Sequence, residues 1–581
     1  MESKQFHAIC KVLQLFCRVR GYKYIIKFFP HEVSHVEVCM VALQSQDRTD
    51  HQNWETRYIL LLWMCQLCLI PFDICSLDST MSSVTTTDDS SSTKLNTQNV
   101  DGEDAGGVTQ SRLVCDIISI SREHLSESGP TREAAYACLS ALFTRPDMES
   151  TLLREFMCCC CERLEAWNRK GEEAEHELTR DSFQLIGILH TMSNIFKKGH
   201  RNNVLPYANM ALGPCMLLSE QNNQTLVRKL LVKVIQRIGL IFLPPREASW
   251  RYQRGSRSLL TNLNQTISSS TTTTSSCANE KHDESEDEEV DVPAELEDIV
   301  EKVLCALQDK DTVVRWSAAK GIGRITMRLP LDFGDDIVGA VVEVFSDPDD
   351  ECAWHGGCLA LAELSRRGLL LPERLEVVVP LVVRAMHFDL LRGQHSVGSH
   401  VRDAASYVCW AFARAYAPEV LSPFVDMFSE AMLLASLFDR EINCRRAASA
   451  AFQENVGRQG NENFPFGIEV IAVADYFSLG NRNNAYLTIA PIIAELSPRF
   501  NEFIVKHLYE CKLSHWDIDV RTLAAKSLGK LTTINPQYCL DALEPILASC
   551  VSPSSSGGGS RLRYSFDIIS HGKTWWRVGL G

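Results

Sequence analysis

The chain has 581 residues and a mass of 65.2 kDa, enough for roughly three to five ordinary domains or one long repeat array. Hydrophobic residues make up 45% and charged residues 23%, which excludes a wholly disordered or collagen-like chain. Its 22 cysteines are too few for a disulfide scaffold of this length, and 73 acids against 58 bases, a formal −15, argue against nucleic acid as the main partner.

The N-terminal stretch Met1–Tyr24 is not a secretory signal, because Gln14 and Arg18 break its apolar runs and no small-residue cleavage site follows. Tyr58–Phe72 is the most hydrophobic stretch. It is 15 residues long, contains Gln66 and ends at a proline turn. A spanning helix needs about 20 apolar residues, so this segment is predicted to be a buried core helix, with no membrane insertion. Cys65, Cys68, Cys305 and Cys409 sit inside apolar runs, the setting of buried free thiols, and a reducing cytoplasm is the expected home.

Two segments lack the apolar content to repay the entropy of ordering. Ser79–Thr93 has eleven Ser or Thr in fifteen residues, and Ser268–Ser276 is Ser or Thr throughout. The second runs into Glu280–Asp298, where eleven acids stand against Lys281 alone. Most of the −15 therefore belongs to one linker, and the rest of the chain is nearly neutral. The predicted layout is helical repeats at 1–75, a disordered insert at 76–110, helical repeats at 111–262, a disordered linker at 263–293, HEAT repeats at 294–550 and a non-repeat tail at 551–581.

Internal repeats support that layout. KDTVVRWSAAKGIGR (310–324) and HWDIDVRTLAAKSLGKL (515–531) share D-x-x-V-R-x-x-A-A-K. Looser copies lie at Thr131–Ala135, Val227–Arg228, Val401–Ala405 and Cys444–Ala448, and Cys352 opens a related helix. The gaps Val314, Cys352, Val401, Cys444 are 38, 49 and 43 residues. The next gap, to Val520, is 76, which leaves room for one further unit around Asn484–Leu496. A spacing near 41 residues fits the HEAT/armadillo period, so the predicted fold is an all-α solenoid of stacked helical hairpins. Helix A is read at Asp298–Leu307 from its apolar stripe, and the Ala pair of helix B allows close approach of the next hairpin. Asp311 and Asp517, four residues before Arg315 and Arg521, are assigned to the repeat turns as helix caps. Each Arg is expected to reach the next turn. Residue 398 is Gly, so this ladder should break at Arg402.

Chemistry-bearing motifs are sparse. Cys65-x-x-Cys68 and Cys158–Cys161 have metal-like spacing, but they lie about ninety residues apart in helical stretches, and a zinc site wants ligands gathered around loops. Gly321-Ile-Gly323 lacks the third glycine of a dinucleotide loop, and GxxxxGK[ST], HExxH and GxSxG do not occur. His355 beside Gly356-Gly357 reads as close helix packing. No catalytic residue, cofactor or metal is assigned. Trp250, Arg251, Tyr252 and Arg254 combine the residue types of interface hot spots, as do Arg440, Arg445 and Arg446 near a predicted turn. Each is either a partner contact or an anchor of the solenoid. The acidic tract is a solvated linker or a screen for a basic patch in cis.

Longer strings carry a resemblance. RGYK (20–23), PHEV (30–33), WETRYILLLW (54–63), LIPFD (69–73), TRPD (144–147), LPYA (205–208), WRYQRG (250–255) and SHWD (514–517) accompany three blocks of about twenty residues at 353–372, 401–419 and 440–460. Together these resemble the tubulin-specific chaperone D (tubulin-folding cofactor D) family. The resemblance implies a HEAT-repeat scaffold, not an enzyme, that acts after the cytosolic chaperonin. Such a scaffold takes up β-tubulin, joins cofactors C and E with α-tubulin, and contributes to GTPase activation only within that complex. It also implies an Arf-like small GTPase as partner, and a place in the cytoplasm, at the centrosome and at lateral cell junctions. Family members are roughly twice as long. The expected acidic leader and first repeats are missing, the tail 551–581 matches no family segment, and open repeat faces are expected to make the chain aggregate or need a partner. The alternative is a generic HEAT adaptor of the transport-receptor or phosphatase-scaffold type, which shares the repeat but not these strings. A thiol-dependent activity at Cys158–Cys161 is a third reading.

Overall fold

A helix that is apolar along one stripe must bury that stripe against another element. The computed structural model shows how the chain does so, and describes residues 3–78, 111–149, 152–169, 178–254, 292–393 and 395–534. They form two units, divided between Pro244 and Pro245. Each is built of stacked helical hairpins in a HEAT/armadillo-type all-α solenoid. The parts of the predicted inserts at 79–110 and 255–291, and the 551–581 tail, lie outside the described residues.

In the second unit, helix A of the first hairpin runs Glu295–Cys305 and buries Leu296, Ile299 and Val303. A 3-10 turn, Ala306–Gln308, then buries Leu307. Its partner Thr312–Thr326 places Val314, Ala318, Ala319 and Ile322 in the core. Helices Thr312–Thr326, Glu351–Arg366, Ser399–Ala415 and Ile442–Asn463 stack in that order as one layer. With a neighbour on each side, Glu351–Arg366 is buried at every position from Ala353 to Ser365. Small residues permit this. A methyl group on Gly356 would lie 1.8 Å from the Leu307 carbonyl oxygen, and one on Gly357 would lie 2.5 Å from the Phe345 ring.

The long gap between Cys352 and Val401 has a local cause. An antiparallel hairpin pairs Leu390–Arg392 with His395–Val397, in register Leu390–Val397, and adds residues between the A and B helices. The unit expected near Asn484 is present as Arg482–Asn484, a widened π turn at Ala485–Ile489 and Ala490–Leu496. Pro498–His507, a second π turn at Leu508–Lys512, and Ile518–Leu531 follow.

The arginine ladder is continuous through Arg402, contrary to the expected break. Arg315 donates to the Asp309 carbonyl in its own turn, and its Nε donates to His355 Nδ1 in the next repeat at 2.7 Å. Arg402 donates to the Phe388 carbonyl at 2.7 Å and forward to Asp439 at 2.6 Å. Arg445 donates back to Asp439 and Arg440 carbonyls and forward to those of Leu479 and Gly480. Arg521 holds the His515 and Trp516 carbonyls. The link does not require an Asp four residues earlier, because the acceptors are turn carbonyls or a group on the next repeat. Asp517 caps Ile518–Leu531 by accepting from Asp519 N–H, whereas Asp311, also expected to cap, stands at the N-cap of Thr312–Thr326 without a side-chain capping bond.

In the first unit, Trp54–Leu67, Thr131–Phe143, Leu178–Lys198 and Thr225–Phe242 pack in succession. Trp54–Leu67 buries ten residues, but the core helix predicted over Tyr58–Phe72 ends at Leu67, and Leu69 and Phe72 in the turn beyond it are exposed. Arg145 ties the turns together, donating to the carbonyls of Cys68, Ile70 and Phe72 at 2.6–2.8 Å while pairing with Asp147 at 2.9 Å. Two of the strings quoted above, LIPFD and TRPD, thus meet at one guanidinium. Cys65, Cys68 and Cys409 are buried thiols, but Cys305 is exposed, because the last turn of its helix directs that position outward. Among the described residues one segment, Pro418–Phe438, is long and apolar enough to cross a membrane; residues 431–438 are buried in the second unit.

Candidate functional site

The segment 245–254 belongs to the second unit rather than to the repeat block ending at 262. It runs across successive hairpins as a strap. Ala248 N–H donates to the Met327 carbonyl, and Trp250 Nε1 donates to the Leu329 carbonyl at 2.9 Å. The Trp250 ring lies over Gly334, where a methyl group would come within 2.4 Å of it. Tyr252 N–H donates to the Gly368 carbonyl at 2.8 Å. Gly368 has φ +75°, and a side chain there would meet the Tyr252 carbonyl. The Tyr252 hydroxyl accepts from Ala417 N–H, and Arg254 donates to the Ala413 and Arg458 carbonyls at 2.8 and 2.9 Å. Arg251 pairs with the exposed Glu247 at 2.6 Å. The hot-spot composition of this strap is engaged inside the unit.

The second cluster divides. Arg445 is 2% exposed, and its guanidinium is committed to the ladder. Arg446 lies 4.1 Å from the Tyr476 ring centroid and donates to the Tyr476 carbonyl. Around it Ile442, Tyr476 and Phe477 are exposed, Phe477 at 81%. An Arg stacked on Tyr beside a bare Phe combines a cation–π pair with interface-type chemistry. Arg440 stacks on Trp516 at 4.8 Å, pairs with Glu441 at 2.7 Å and borders a cavity of about 220 Å³.

That cavity lies among the turns at 386–389, 434–440 and 507–515. Arg402 and Asp439 form its buried wall. Asp389 faces His515 Nε2 at 3.4 Å and Arg402 at 3.6 Å. Burial alone would raise the Asp389 pKa, but hydrogen bonds from His515 and Ser396 and the Arg402 charge outweigh it and hold the carboxyl at about 2. His507 stacks on Phe438, and burial pushes its pKa well below the usual value, so the imidazole is neutral. Sequence reading assigned Arg402 to the ladder and Arg440 to a partner surface, and missed Asp389, His507 and Lys512. One signal was present: His507 falls one turn after Phe503 on the buried stripe of its helix.

The thiol motifs do not converge. Cys158–Cys161 lie on one helix, with Cys160 and Cys161 buried, and Arg122 donates to Cys159 Sγ at 3.1 Å. Among the described residues no group of three His, Cys, Asp or Glu is placed to hold a metal ion.

Two family models match: "Tubulin-specific chaperone D-like, ARM repeat" over residues 1–164 and "Tubulin-specific chaperone D-like, ARM repeats" over 226–468. Together they cover well over half of the chain. This chain belongs to the tubulin-specific chaperone D family. It is 39% identical to the tubulin-specific chaperone D of Dictyostelium discoideum, over 85% of this chain and 33% of that protein. It is 28% identical to the tubulin-folding cofactor D of Schizosaccharomyces pombe, over 93% of this chain and 44% of that protein. The chain thus spans between a third and a half of the length of these two curated relatives. A solved structure of yeast importin-β (Kap95p) aligns at 13% identity over 97% of this chain and 59% of that chain, with a TM-score of 0.43.

Proposed function

We propose that this chain is a tubulin-folding scaffold that binds β-tubulin released from the chaperonin. In this reading it joins cofactors C and E and α-tubulin in assembling and disassembling the heterodimer. It contributes to GTPase activation within that complex without supplying a catalytic group, and it takes an Arf-like small GTPase as a further partner. Its place is the cytoplasm, the centrosome and lateral cell junctions. The observation that carries the reading is the match of both repeat segments to tubulin-specific chaperone D family models. A stack of hairpins is also suited to the task, since repeat arrays present extended surfaces to large clients.

Of the sequence candidates for partner contact, Arg440 and Arg446 fit best. Both keep their guanidinium groups at the surface of the second unit, and Arg446 sits beside the exposed Phe477. The test is co-purification of the tagged full chain with β-tubulin at low and moderate salt, beside a full-length relative. Retention by both is the expected result. Retention by the relative alone would remove the function from this chain.

A further inference from the structure

The cavity at the turn ladder contains a charge that the fold does not use. Its two carboxylates are engaged: Asp439 accepts from Arg402 at 2.6 Å and from Glu441 N–H at 2.8 Å, and Asp389 lies between His515 and Arg402. Lys512, from the π turn Leu508–Lys512, lines the same space. Its ammonium makes no hydrogen bond or ion pair among the described residues. Desolvation pulls the Lys512 pKa down, and the Asp439 and Asp389 charges only partly oppose it. His507 borders the cavity at 9% exposure, and its Nε2 has no partner.

A buried imidazole nitrogen without a partner is costly, and beside it stands an ammonium that no side chain contacts directly. Leaving both in one cavity is consistent with a third group that completes them. The volume selects its size. About 220 Å³ is space for about seven waters at about 30 Å³ each, and is below the roughly 300–1,000 Å³ of drug-sized ligand sites. A single phosphate or carboxylate group matches that size.

We propose that this cavity is an oxyanion subsite, in which Lys512 supplies the charge and His507 a hydrogen bond to one phosphate or carboxylate group. The anion is either free in solution or the side chain of an acidic segment on a partner. Arg440 borders this cavity, but neither Lys512 nor His507 belongs to the Arg446–Phe477 surface, and the proposal does not depend on the tubulin reading.

The experiment uses the full chain. Its amines are acylated with an N-hydroxysuccinimide ester of acetic acid, and modification of Lys512 is followed by peptide mass spectrometry. Inorganic phosphate is compared with chloride of equal ionic strength. Lys512 should react about fivefold more slowly at phosphate about four times its dissociation constant. Equal rates in phosphate and chloride would overturn the proposal. In parallel, phosphate should raise the melting temperature of the wild type and of Lys512→Arg but not of Lys512→Met; an equal rise in Lys512→Met would overturn it as well. A hexaglutamate peptide distinguishes the sources. Protection by the peptide at lower concentration than by phosphate assigns the site to a partner's carboxylate, and protection by phosphate alone assigns it to the free ion.

Discussion

Arg402 and Asp439 meet through two hydrogen bonds, Nε to Oδ2 at 2.6 Å and Nη2 to Oδ1 at 3.2 Å, with both side chains over 90% buried. Thirty-seven residues separate them in the sequence, and the pair joins the B helix of one hairpin to the turn of the next. Asp439 also accepts from Glu441 N–H and so shapes the entry to Ile442–Asn463. Removing one partner strands the other charge. Asp439→Leu or Arg402→Met alone should cost about 3–5 kcal/mol, whereas the two together should recover most of it. Thermal melts of the two single variants and the double variant measure this coupling. Additive losses would mean that the pair does not hold the repeats together.

His355 makes the second unit sensitive to acid. Burial, the Arg315 charge and His400 hold its pKa at about 3, and its Nδ1 accepts from Arg315. The folded value lies below the ordinary value of about 6.5, so the unfolded chain takes up the proton first. This contribution is therefore complete above about pH 6.5 and declines by about 1.4 kcal/mol per unit as the pH falls towards 3. His355→Asn keeps an acceptor for Arg315 and removes the titration. Its stability should fall less steeply between about pH 6.5 and 4.5, by about one proton in the linkage slope. An unchanged slope would show that His355 is protonated in the folded chain.

Two glycines should behave in opposite ways. Gly356→Ala places a methyl group against the Leu307 carbonyl, where neither backbone can give way, and should cost about 3 kcal/mol or more. Gly339 lies inside Leu331–Glu343 with nothing within 4 Å of an added methyl, so Gly339→Ala should gain up to about 1 kcal/mol from helix propensity. Circular-dichroism melts of both variants check the pair.

The strap predicts a contrast between its two arginines. Arg254→Glu loses two carbonyl partners and sets a carboxylate against the Ala413 and Arg458 carbonyls, so the melting temperature should fall by several degrees. Arg251→Glu breaks a pair with an exposed glutamate and should leave it nearly unchanged. Equal effects would contradict the assignment of Arg254 to the fold.

At the Arg446 surface, Arg446→Glu with Phe477→Ala should weaken β-tubulin retention about tenfold or more without lowering the melting temperature. Unchanged retention by the folded double variant would place the client elsewhere.

The B helices were legible because one sequence pattern solves one packing problem. The Ala pairs at 318–319, 404–405, 447–448 and 524–525 mark the layer where hairpins approach most closely, and the ladder arginines precede them by two or three residues. The partners of those arginines were not legible. They are carbonyls and side chains 34–40 residues away, brought near by stacking, and a turn carbonyl leaves no mark in the sequence. The hairpin at 390–397 appeared only as an irregular gap. The cavity was hidden for a related reason: the π turn at 508–512 shifts Lys512 out of the 3.6-residue period by which its direction would be judged. The strap residues were recognised as unusual, but composition alone does not distinguish an anchor from a contact.

The most direct test of the account is equilibrium titration of the purified full chain with fluorescently labelled β-tubulin at moderate salt, with the tubulin-free chain's melting curve recorded alongside. The account predicts saturable binding by a chain that melts as a folded protein. A folded chain that fails to bind β-tubulin, where a full-length family member binds it under the same conditions, would contradict it.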